Sequence, residues 1–494
     1  MNRIHTTALI VFLFFFLLVT VLGFAASRWN SSDSKTVEKN LDEWGLGGRQ
    51  FGAWVTWFLV GGDFYTAYTV IAVPALVYAV GAYGFFALPY TILVYPFIYL
   101  VMPKLWTAAQ AGGCVTAGDY VYVRYSNRRL EYAVAITGLI ATMPYIALQL
   151  VGMEVVLKAM GLQGELPLIL AFLILAFYTY SSGLRAPALI AFVKDIMIYI
   201  VVIAAVILIP LKLGGYASIF AAAKIAFDHK SGATGTLLQA GQMLPFATLA
   251  LGSALAAFMY PHTMTGVLAA KNADVVRKNA IFLPAYTVLL GMIALLGFMA
   301  IAAGVTPQNA TEVVPLLFDR IFPEWFSGFA FAAIAIGALV PAAVMSIGAS
   351  NLFTRNLWKP LIKPAITPEG EAKVAKIVSL VVKLGALVCI VFLPTKFAID
   401  LQLLGGVWML QIFPAVVFGL FMKKLHTGGL FWGWLAGILL GTFLAFSSGT
   451  LKPVYGIPLA GEIYTVYIGL IALALNCFIA LGTSGFMRRS YKGL

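Results

Sequence analysis

The chain has 494 residues, of which 62% are hydrophobic and 10% are charged, and its mean hydropathy is +0.95. A soluble domain carries about 25% charged residues, so this composition excludes soluble enzymes, nucleic-acid-binding proteins and disulfide-linked scaffolds. The net charge is +13, and the three cysteines, Cys114, Cys389 and Cys477, lie far apart without the spacing of a metal or disulfide motif. Because a membrane span takes about 20 residues, we expect one polytopic domain embedded in the lipid bilayer.

Apolar stretches separated by proline, glycine or charged clusters predict an all-α fold with about thirteen transmembrane helices. The first stretch is long and is followed by a poor signal-peptide cleavage sequence, so it is interpreted as a retained helix. The predicted spans cover residues 8–26, 52–80, 84–103, 132–157, 167–181, 187–210, 243–268, 281–303, 326–350, 374–393, 399–421, 429–448 and 463–485.

Basic residues are distributed unevenly over the segments that connect these spans. If the N-terminus lies outside, 22 Lys and Arg residues fall in cytoplasmic segments and 8 in outer segments, while Lys194 and Lys383 fall inside spans. Since basic loops resist translocation, the sequence predicts a cell-membrane protein with its N-terminus outside and its C-terminus inside. Lys194 and Asp195 are expected to form a local ion pair at the membrane edge, and Lys383 is assigned no role.

Ten spans remain when the first and the last two are set aside. They divide into two groups of five, 52–210 and 243–421, which is the arrangement of transporters with inverted repeats, and 8–26 and 429–485 are then peripheral helices. In such a fold the first helix of each group is expected to be broken. Gly61-Gly62-Asp63 interrupts span 52–80, and Tyr260-Pro261-His262 interrupts span 243–268.

These breaks carry the candidate functional side chains. A carboxylate such as Asp63 inside a span costs several kcal/mol unless it is paired, hydrated or bound to an ion, and an opened turn frees carbonyls for a cation. Close helix packing around a protonated Asp63 and a structural, hydrogen-bonded His262 are the alternative interpretations. The small-residue run 341–350 favours tight helix packing or a hydroxyl ligand, Ser346, for a hard cation. The chain has no zinc-protease, paired-cysteine or phosphate-loop motif, so neither an enzyme nor a cofactor is expected.

Several segments resemble the sodium:solute symporter family over about residues 50–425. They are Tyr68 to Gly81, Gly118 to Tyr125, Tyr178 to Asp195, Pro261-His262, and Ala342 to Ser346 leading to Asn351 to Asn356. The amino-acid sequences of segments 260–266 and 341–356 are most similar to those of the monocarboxylate permease branch of this family. The resemblance implies a LeuT-type fold and symport of lactate, pyruvate or a similar small acid. A symporter of alanine, of a proline-like amino acid or of a sugar is the alternative, and a channel is a more distant one.

The resemblance also implies residue positions for a coupling cation and a substrate. A sodium site falls on the carbonyls of Gly62, Tyr65 and Ala343 and the hydroxyl of Ser346, coupling residues fall on Asp63 and Asp195, and the substrate cavity falls near Phe64, Thr69 and His262. Where the family commonly has a second hydroxyl side chain after Ser346, this chain has Ile347. Sodium and protons therefore both stand as candidate coupling ions, since Asp63 and His262 are titratable.

Overall fold

The computed structural model describes residues 5–28, 40–62, 65–230, 235–392, 401, 404–447, 452–459 and 461–490. Two of the predicted site residues, Asp63 and Phe64, lie outside this range. Within it, ten helices are long and apolar enough to cross a membrane, and Leu166–Ser182 is a shorter apolar helix. A helix overlaps each predicted span, so the expectation of an all-helical membrane fold is confirmed.

The first half of the chain contains the peripheral helix, one short helix before the first predicted repeat, the helices within that repeat and one helix after it. Its helices are α1 (Thr6–Ala25), α2 (Leu41–Leu46), α3 (Ala53–Thr56, continued by a π-helical turn Trp57–Gly61), α4 (Ala67–Val80), α5 (Ala87–Ala111), α6 (Ala117–Tyr125), α7 (Arg128–Ala159), α8 (Leu166–Ser182), α9 (Arg185–Lys212) and α10 (Tyr216–Asp228). Short polar side chains begin several of them: Thr116 accepts from the Asp119 amide at the start of α6, and Asn127 from the Leu130 amide at the start of α7.

The described residues of the second half form ten more α-helices and one hairpin. They are α11 (Ala240–Ala257), α12 (Pro261–Leu268), α13 (Ala273–Phe282), α14 (Pro284–Ala302), α15 (Val313–Ile321), α16 (Glu324–Phe353, extended by turns Thr354–Trp358 and Lys359–Leu361), α17 (Pro368–Phe392), α18 (Leu404–Phe421), α19 (Thr427–Phe446), strands β1 (Val454–Leu459) and β2 (Glu462–Tyr467), and α20 (Ile468–Ser490). The division into two repeats, 52–210 and 243–421, stays a prediction.

The helix α16 forms the centre of the molecule. The most apolar 18 residues of this helix are all buried, because α1, α7, α9, α12 and α17 pack around it. Small residues permit the close approaches: a Cβ added to Gly328 would lie 2.4 Å from the carbonyl oxygen of Ala8 in α1. Tight packing of small residues is the usual way in which membrane helices associate. The peripheral helix α1 is therefore packed firmly against the core.

A network of charged side chains joins the ends of α6, α7, α16 and α17. Arg355 Nε lies 3.1 Å from Asp119 Oδ2, and Arg355 NH1 lies 3.2 Å from Glu371 Oε1. Asn356 donates from Nδ2 to Asp119 Oδ1 and to Glu131 Oε1, each at 2.8 Å. We call these five residues the Arg355 cluster. Each of its charges has more than one partner, which is what partly buried charges require.

The C-terminal part departs from the predicted boundaries. The last span was expected to begin at residue 463, but β2 pairs antiparallel with β1 through Tyr467, and α20 begins only at Ile468. Pro458 and the positive φ of 86° at Gly461 favour a turn between extended segments, and alternation of β-branched and aromatic residues in 462–467 suits a strand. An apolar stretch of this length does not by itself separate strand from helix.

Candidate functional site

The first predicted break is present in the structure. The π-helical turn after α3 runs to Gly61 with Gly62 as its cap, and α4 begins at Ala67, where Thr66 Oγ1 accepts from the Thr69 amide at 3.2 Å. The Tyr65 amide donates to the Gly62 carbonyl at 3.3 Å. An opened turn leaves carbonyls at the end of a helix without their usual intrahelical donors, so they are available to another group.

That group is the side chain of Lys194 in α9. Its Nζ donates to the Gly62 carbonyl at 2.6 Å and to the Tyr65 carbonyl at 3.3 Å, and it lies 2.9 Å from Asp195 Oδ1. Tyr286 in α14 donates to Asp195 Oδ2 at 2.5 Å and stacks on the Tyr65 ring, with centroids 4.8 Å apart. We call Gly62, Tyr65, Lys194, Asp195 and Tyr286 the Lys194 cluster.

The Lys194–Asp195 ion pair that the sequence predicted is present, and both side chains are buried inside the protein. Lys194 is 0% exposed and Asp195 is 1% exposed. Lys194 is the tenth residue of α9, so it lies about 14 Å along the helix from Arg185 at 1.5 Å per residue. The break between α3 and α4 lies against Lys194 at this point. This contact joins residues more than 100 positions apart, so the local sequence does not predict it.

The other two predicted sodium ligands lie in α16 and have protein partners of their own. Ser346 donates from its hydroxyl to the Ala343 carbonyl at 2.8 Å and accepts from the Ser379 hydroxyl at 3.2 Å. Ser379 in turn accepts from Lys383 Nζ at 2.7 Å, and Lys383 is 1% exposed. The side chain of Lys383, which the sequence left without a role, is thus connected to the Ser346 hydroxyl.

The second predicted break lies between α11 and α12. Pro261 is the first residue of α12, and the backbone of α16 lies against it: a Cβ added to Gly348 would be 2.9 Å from the His262 amide nitrogen. His262 is 3% exposed, and its ring packs on Tyr145 and Tyr260 with centroid distances of 5.4 Å to each. The first turn of α12 presents the positive end of its helix dipole at this point.

A cavity of about 180 Å³ lies beside the second break. Thr69 and His262, two of the predicted substrate residues, line it, and Asp, Glu, Lys and Arg are absent from its described lining. The Tyr260 hydroxyl is buried and has no hydrogen-bond partner among the described residues. The remaining lining residues are Val73, Phe86, Ala87, Tyr90, Thr91, Tyr145, Leu249, Ser253, Ala256, Ala257, Tyr260, Thr263, Leu290, Gly406 and Tyr467.

Sequence reasoning missed Tyr467, the last residue of β2. Its amide donates to Thr248 Oγ1 at 3.1 Å, and its ring lies against Gly252, where an added Cβ would be 2.2 Å from Tyr467 Cδ1. The aromatic ring that needs the space at Gly252 is more than 200 positions away in the chain. A wall of the cavity therefore comes from the hairpin.

The sequence of the chain is similar to those of known transporters. The sodium:solute symporter family matches residues 44–437. A monocarboxylate transport permease protein of Rhizobium johnstonii is 66% identical over 478 residues, which cover 97% of this chain and 96% of that protein. A sodium/proline symporter of Staphylococcus aureus is 23% identical and covers 94% of this chain and 90% of that protein.

A solved structure has the same fold. It is a Na+-coupled sialic acid symporter in a substrate-bound outward-open state, with a TM-score of 0.79, 15% sequence identity and 97% of each chain covered. At this identity the likeness concerns the fold alone, and it confirms the LeuT-type arrangement. The two broken helices, the cavity beside the second break and the match over most of the sequence lead to one conclusion about the molecule. The chain is a multi-pass symporter rather than an enzyme, and it belongs to the sodium:solute symporter family.

Proposed function

We propose that this protein carries a small monocarboxylate such as lactate or pyruvate across the cell membrane together with a cation, by alternating access. The single observation that carries the proposal is the cavity at the second break. Its volume of about 180 Å³ is below the roughly 300–1,000 Å³ of sites that hold drug-sized ligands, so it suits a solute of few atoms. The similarity to a protein named as a monocarboxylate permease supports the same substrate class.

The polar groups of the cavity suit a carboxylate. Tyr260 offers a buried hydroxyl, Thr69 and His262 offer further polar atoms, and the first turn of α12 supplies the positive end of a helix dipole. Val73 and Leu290 form an apolar wall for the short carbon chain. A single negative charge is then bound without a buried arginine or lysine at the described surface of the cavity.

The same lining argues against the alternative substrates. An amino acid would bring an ammonium group, which favours a carboxylate partner, and the described lining contains neither Asp nor Glu. A sugar presents many hydroxyls, and the described lining contains neither Asn nor Gln. Proline stays in the test because relatives at 23% identity are named sodium/proline symporters.

Uptake by the purified full chain in proteoliposomes tests the proposal. Labelled lactate, pyruvate, alanine, proline and glucose are supplied with sodium and proton gradients imposed separately. We expect saturable uptake and counterflow of lactate and pyruvate. Uptake of proline or glucose without either acid would refute the substrate class, and flux without saturation or counterflow would indicate a channel.

One hydroxyl in the cavity provides a sharper variant. Tyr260→Phe removes the buried hydroxyl and keeps the ring, so we expect the KM for lactate to rise about tenfold, the value of one hydrogen bond to a charged group. Tyr216→Phe is the matched control, because the Tyr216 hydroxyl donates to the Val206 carbonyl in α9, away from the cavity. Equal KM values for both variants and the wild type would exclude Tyr260 as a ligand.

The orientation of the chain is part of the proposal. The 22 to 8 distribution of basic residues supports an outer N-terminus and an inner C-terminus. A tag fused after Leu494 is expected to react with a membrane-impermeant label only after the cells are opened. Labelling of the tag in intact cells would show that the C-terminus lies outside and would refute the proposed orientation.

Sodium and the proton are the candidate coupling cations. Family membership and the Na+-coupled structural neighbour support sodium. Four oxygens are proposed as sodium ligands: the carbonyls of Gly62, Tyr65 and Ala343 and the hydroxyl of Ser346. Two of them, the carbonyls of Gly62 and Tyr65, already accept hydrogen bonds from Lys194. This contact argues against sodium as the coupling cation, because it occupies two of the proposed ligand oxygens.

A further inference from the structure

Lys194 is a buried lysine within a membrane-spanning helix. Charged side chains are expensive inside a span and mark functional positions by default. Lys194 lies well inside α9 and is 0% exposed, so its ammonium group does not reach water in this conformation. Its charge must therefore be compensated by the protein.

Among the described residues, three oxygen atoms lie close to the Lys194 ammonium group, two as hydrogen-bond acceptors and one as an ion-pair partner. They are the carbonyls of Gly62 at 2.6 Å and Tyr65 at 3.3 Å and the carboxylate of Asp195 at 2.9 Å. Carbonyl and carboxylate oxygens are also the ligands that hard metal cations prefer. The ammonium group thus takes the acceptors that a free cation would need at the first break.

The helix break is shaped to this ammonium group. A Cβ added to Gly62 would lie 2.6 Å from Lys194 Nζ and 2.8 Å from Asp195 Oδ2, so only glycine permits the approach. Tyr286 holds the carboxylate from the other side and also stacks on Tyr65. The cluster therefore links α9 and α14 to the broken helix through directional contacts.

The remaining half of the proposed sodium ligand set is also occupied by protein donors. The hydrogen bonds run from Lys383 to Ser379, from Ser379 to Ser346, and from Ser346 to the Ala343 carbonyl. The next residue, Ile347, has no oxygen in its side chain. All four proposed ligand oxygens thus accept hydrogen bonds from protein donors. Lys194 donates directly to one pair, and Lys383 is connected to the other pair through Ser379.

We propose that the ammonium group of Lys194 is the resident cation at the first break, a covalently attached substitute for the sodium ion, so that transport requires no sodium. The inference rests on the proposed function, because it concerns the cation site of that symporter. The ammonium supplies the charge that holds the two parts of the broken helix in register with α9. Among the described residues of the break, a free sodium ion then finds neither a vacant carbonyl of Gly62 or Tyr65 nor a carboxylate without a charged partner.

Transport in the absence of sodium is the first test. Proteoliposomes that contain the full-length protein receive labelled lactate with the same imposed pH gradient, and external sodium is present or fully replaced by choline. We expect equal initial rates within a factor of two, and a larger fall in choline overturns the inference. An absence of lactate and pyruvate uptake under every gradient instead refutes the proposed substrate, and the second test then decides the inference alone.

The second test measures sodium binding without any substrate. The thermal stability of the purified protein in detergent is compared in sodium chloride and choline chloride at equal concentration. We expect no difference for the wild type. Lys194→Ala frees the carbonyls of Gly62 and Tyr65 beside an unpaired Asp195, so this variant should gain a stabilisation that grows with sodium concentration.

A matched control and a second variant complete this test. Lys158→Ala also removes one lysine, but its side chain is 56% exposed, so its stability should be equal in both salts. Lys194→Gln retains an amide donor and should show a weaker sodium effect than Lys194→Ala. Sodium-dependent stabilisation of the wild type, or of neither Lys194 variant, would overturn the inference, and the wild-type measurement decides it if both variants fail to fold.

Discussion

The Lys194 cluster and the Arg355 cluster are built from similar charged groups but differ in exposure and in the number of partners. Lys194 and Asp195 are fully buried, and among the described residues each is the other's single charged partner. In the Arg355 cluster, the Arg355 side chain is 23% exposed and the Asp119 side chain 11%, and Arg355 binds both Asp119 and Glu371. One cluster is an isolated pair beside a helix break, and the other is a network at helix ends.

This difference has an energetic consequence. Removal of one member of a buried pair leaves an uncompensated charge, whereas a partly exposed network can redistribute its contacts and admit water. Lys359 still pairs with Glu371 at 3.2 Å without Arg355, and Asp119 Oδ2 still accepts from the Val115 amide at 2.9 Å. In the Lys194 cluster, Asp195 would keep the hydrogen bond from Tyr286, but the described residues offer it no second cation.

The largest effect is expected from the buried pair. Lys194→Met should destabilise the protein by about 3–5 kcal/mol because Asp195 is left unpaired in an apolar interior. The double variant Lys194→Met with Asp195→Leu should recover more than half of this loss. Thermal unfolding in detergent of the two single variants and the double variant measures the coupling. Additive losses would show that the two side chains act independently.

A smaller effect is expected at the network. Arg355→Ala should cost about 1–3 kcal/mol, because several hydrogen bonds are lost but Asp119 and Glu371 retain other partners. The same unfolding assay applies, with Glu371→Gln as the partner variant for a double-mutant cycle. A loss as large as that of Lys194→Met would remove the distinction between the two clusters.

Two glycines allow the clusters to be compared without any change of charge. A Cβ at Gly62 would lie 2.6 Å from Lys194 Nζ, and a Cβ at Gly118 would lie 2.6 Å from Asn356 Cγ. Both alanine variants should lose about 1–2 kcal/mol through overpacking. Only Gly62→Ala should also slow lactate uptake, because it moves the ammonium away from the helix break. Equal effects on uptake would place both clusters in the transport cycle.

The smallest effect is expected for an exposed ion pair. Lys158 and Glu154 form an i,i+4 pair in α7, and the Lys158 side chain is 56% exposed. Lys158→Met should change stability by about 0.5 kcal/mol or less, since solvent screens the charges. A loss above about 1 kcal/mol in the unfolding assay would indicate a role beyond a surface pair.

The sequence was sufficient to predict the membrane fold and the two helix breaks. Gly61-Gly62 and Pro261 weaken a helix through their own backbone chemistry, so their effect is visible in the local sequence. Thr69 and His262, which the family resemblance predicts as substrate residues, both line the cavity, and their role in binding stays a prediction.

Lys194 and Tyr467 were not predicted because their roles depend on distant parts of the chain. The local pattern showed that Lys194 falls inside a span, but only the packing of α9 against the break shows which carbonyls it contacts. Tyr467 lies in a strand that was expected to be part of a helix, and its ring meets Gly252 of another segment. Contacts between residues so far apart require the three-dimensional arrangement.

The hairpin that ends at Tyr467 is a different part of the chain from the helices that form the proposed cation site. In the proposed mechanism, the broken helix and α9 hold the cation charge, whereas Tyr467, the last residue of β2, lines the solute cavity. A change at Tyr467 is therefore expected to alter which solutes fit, while the residues of the Lys194 cluster stay unchanged.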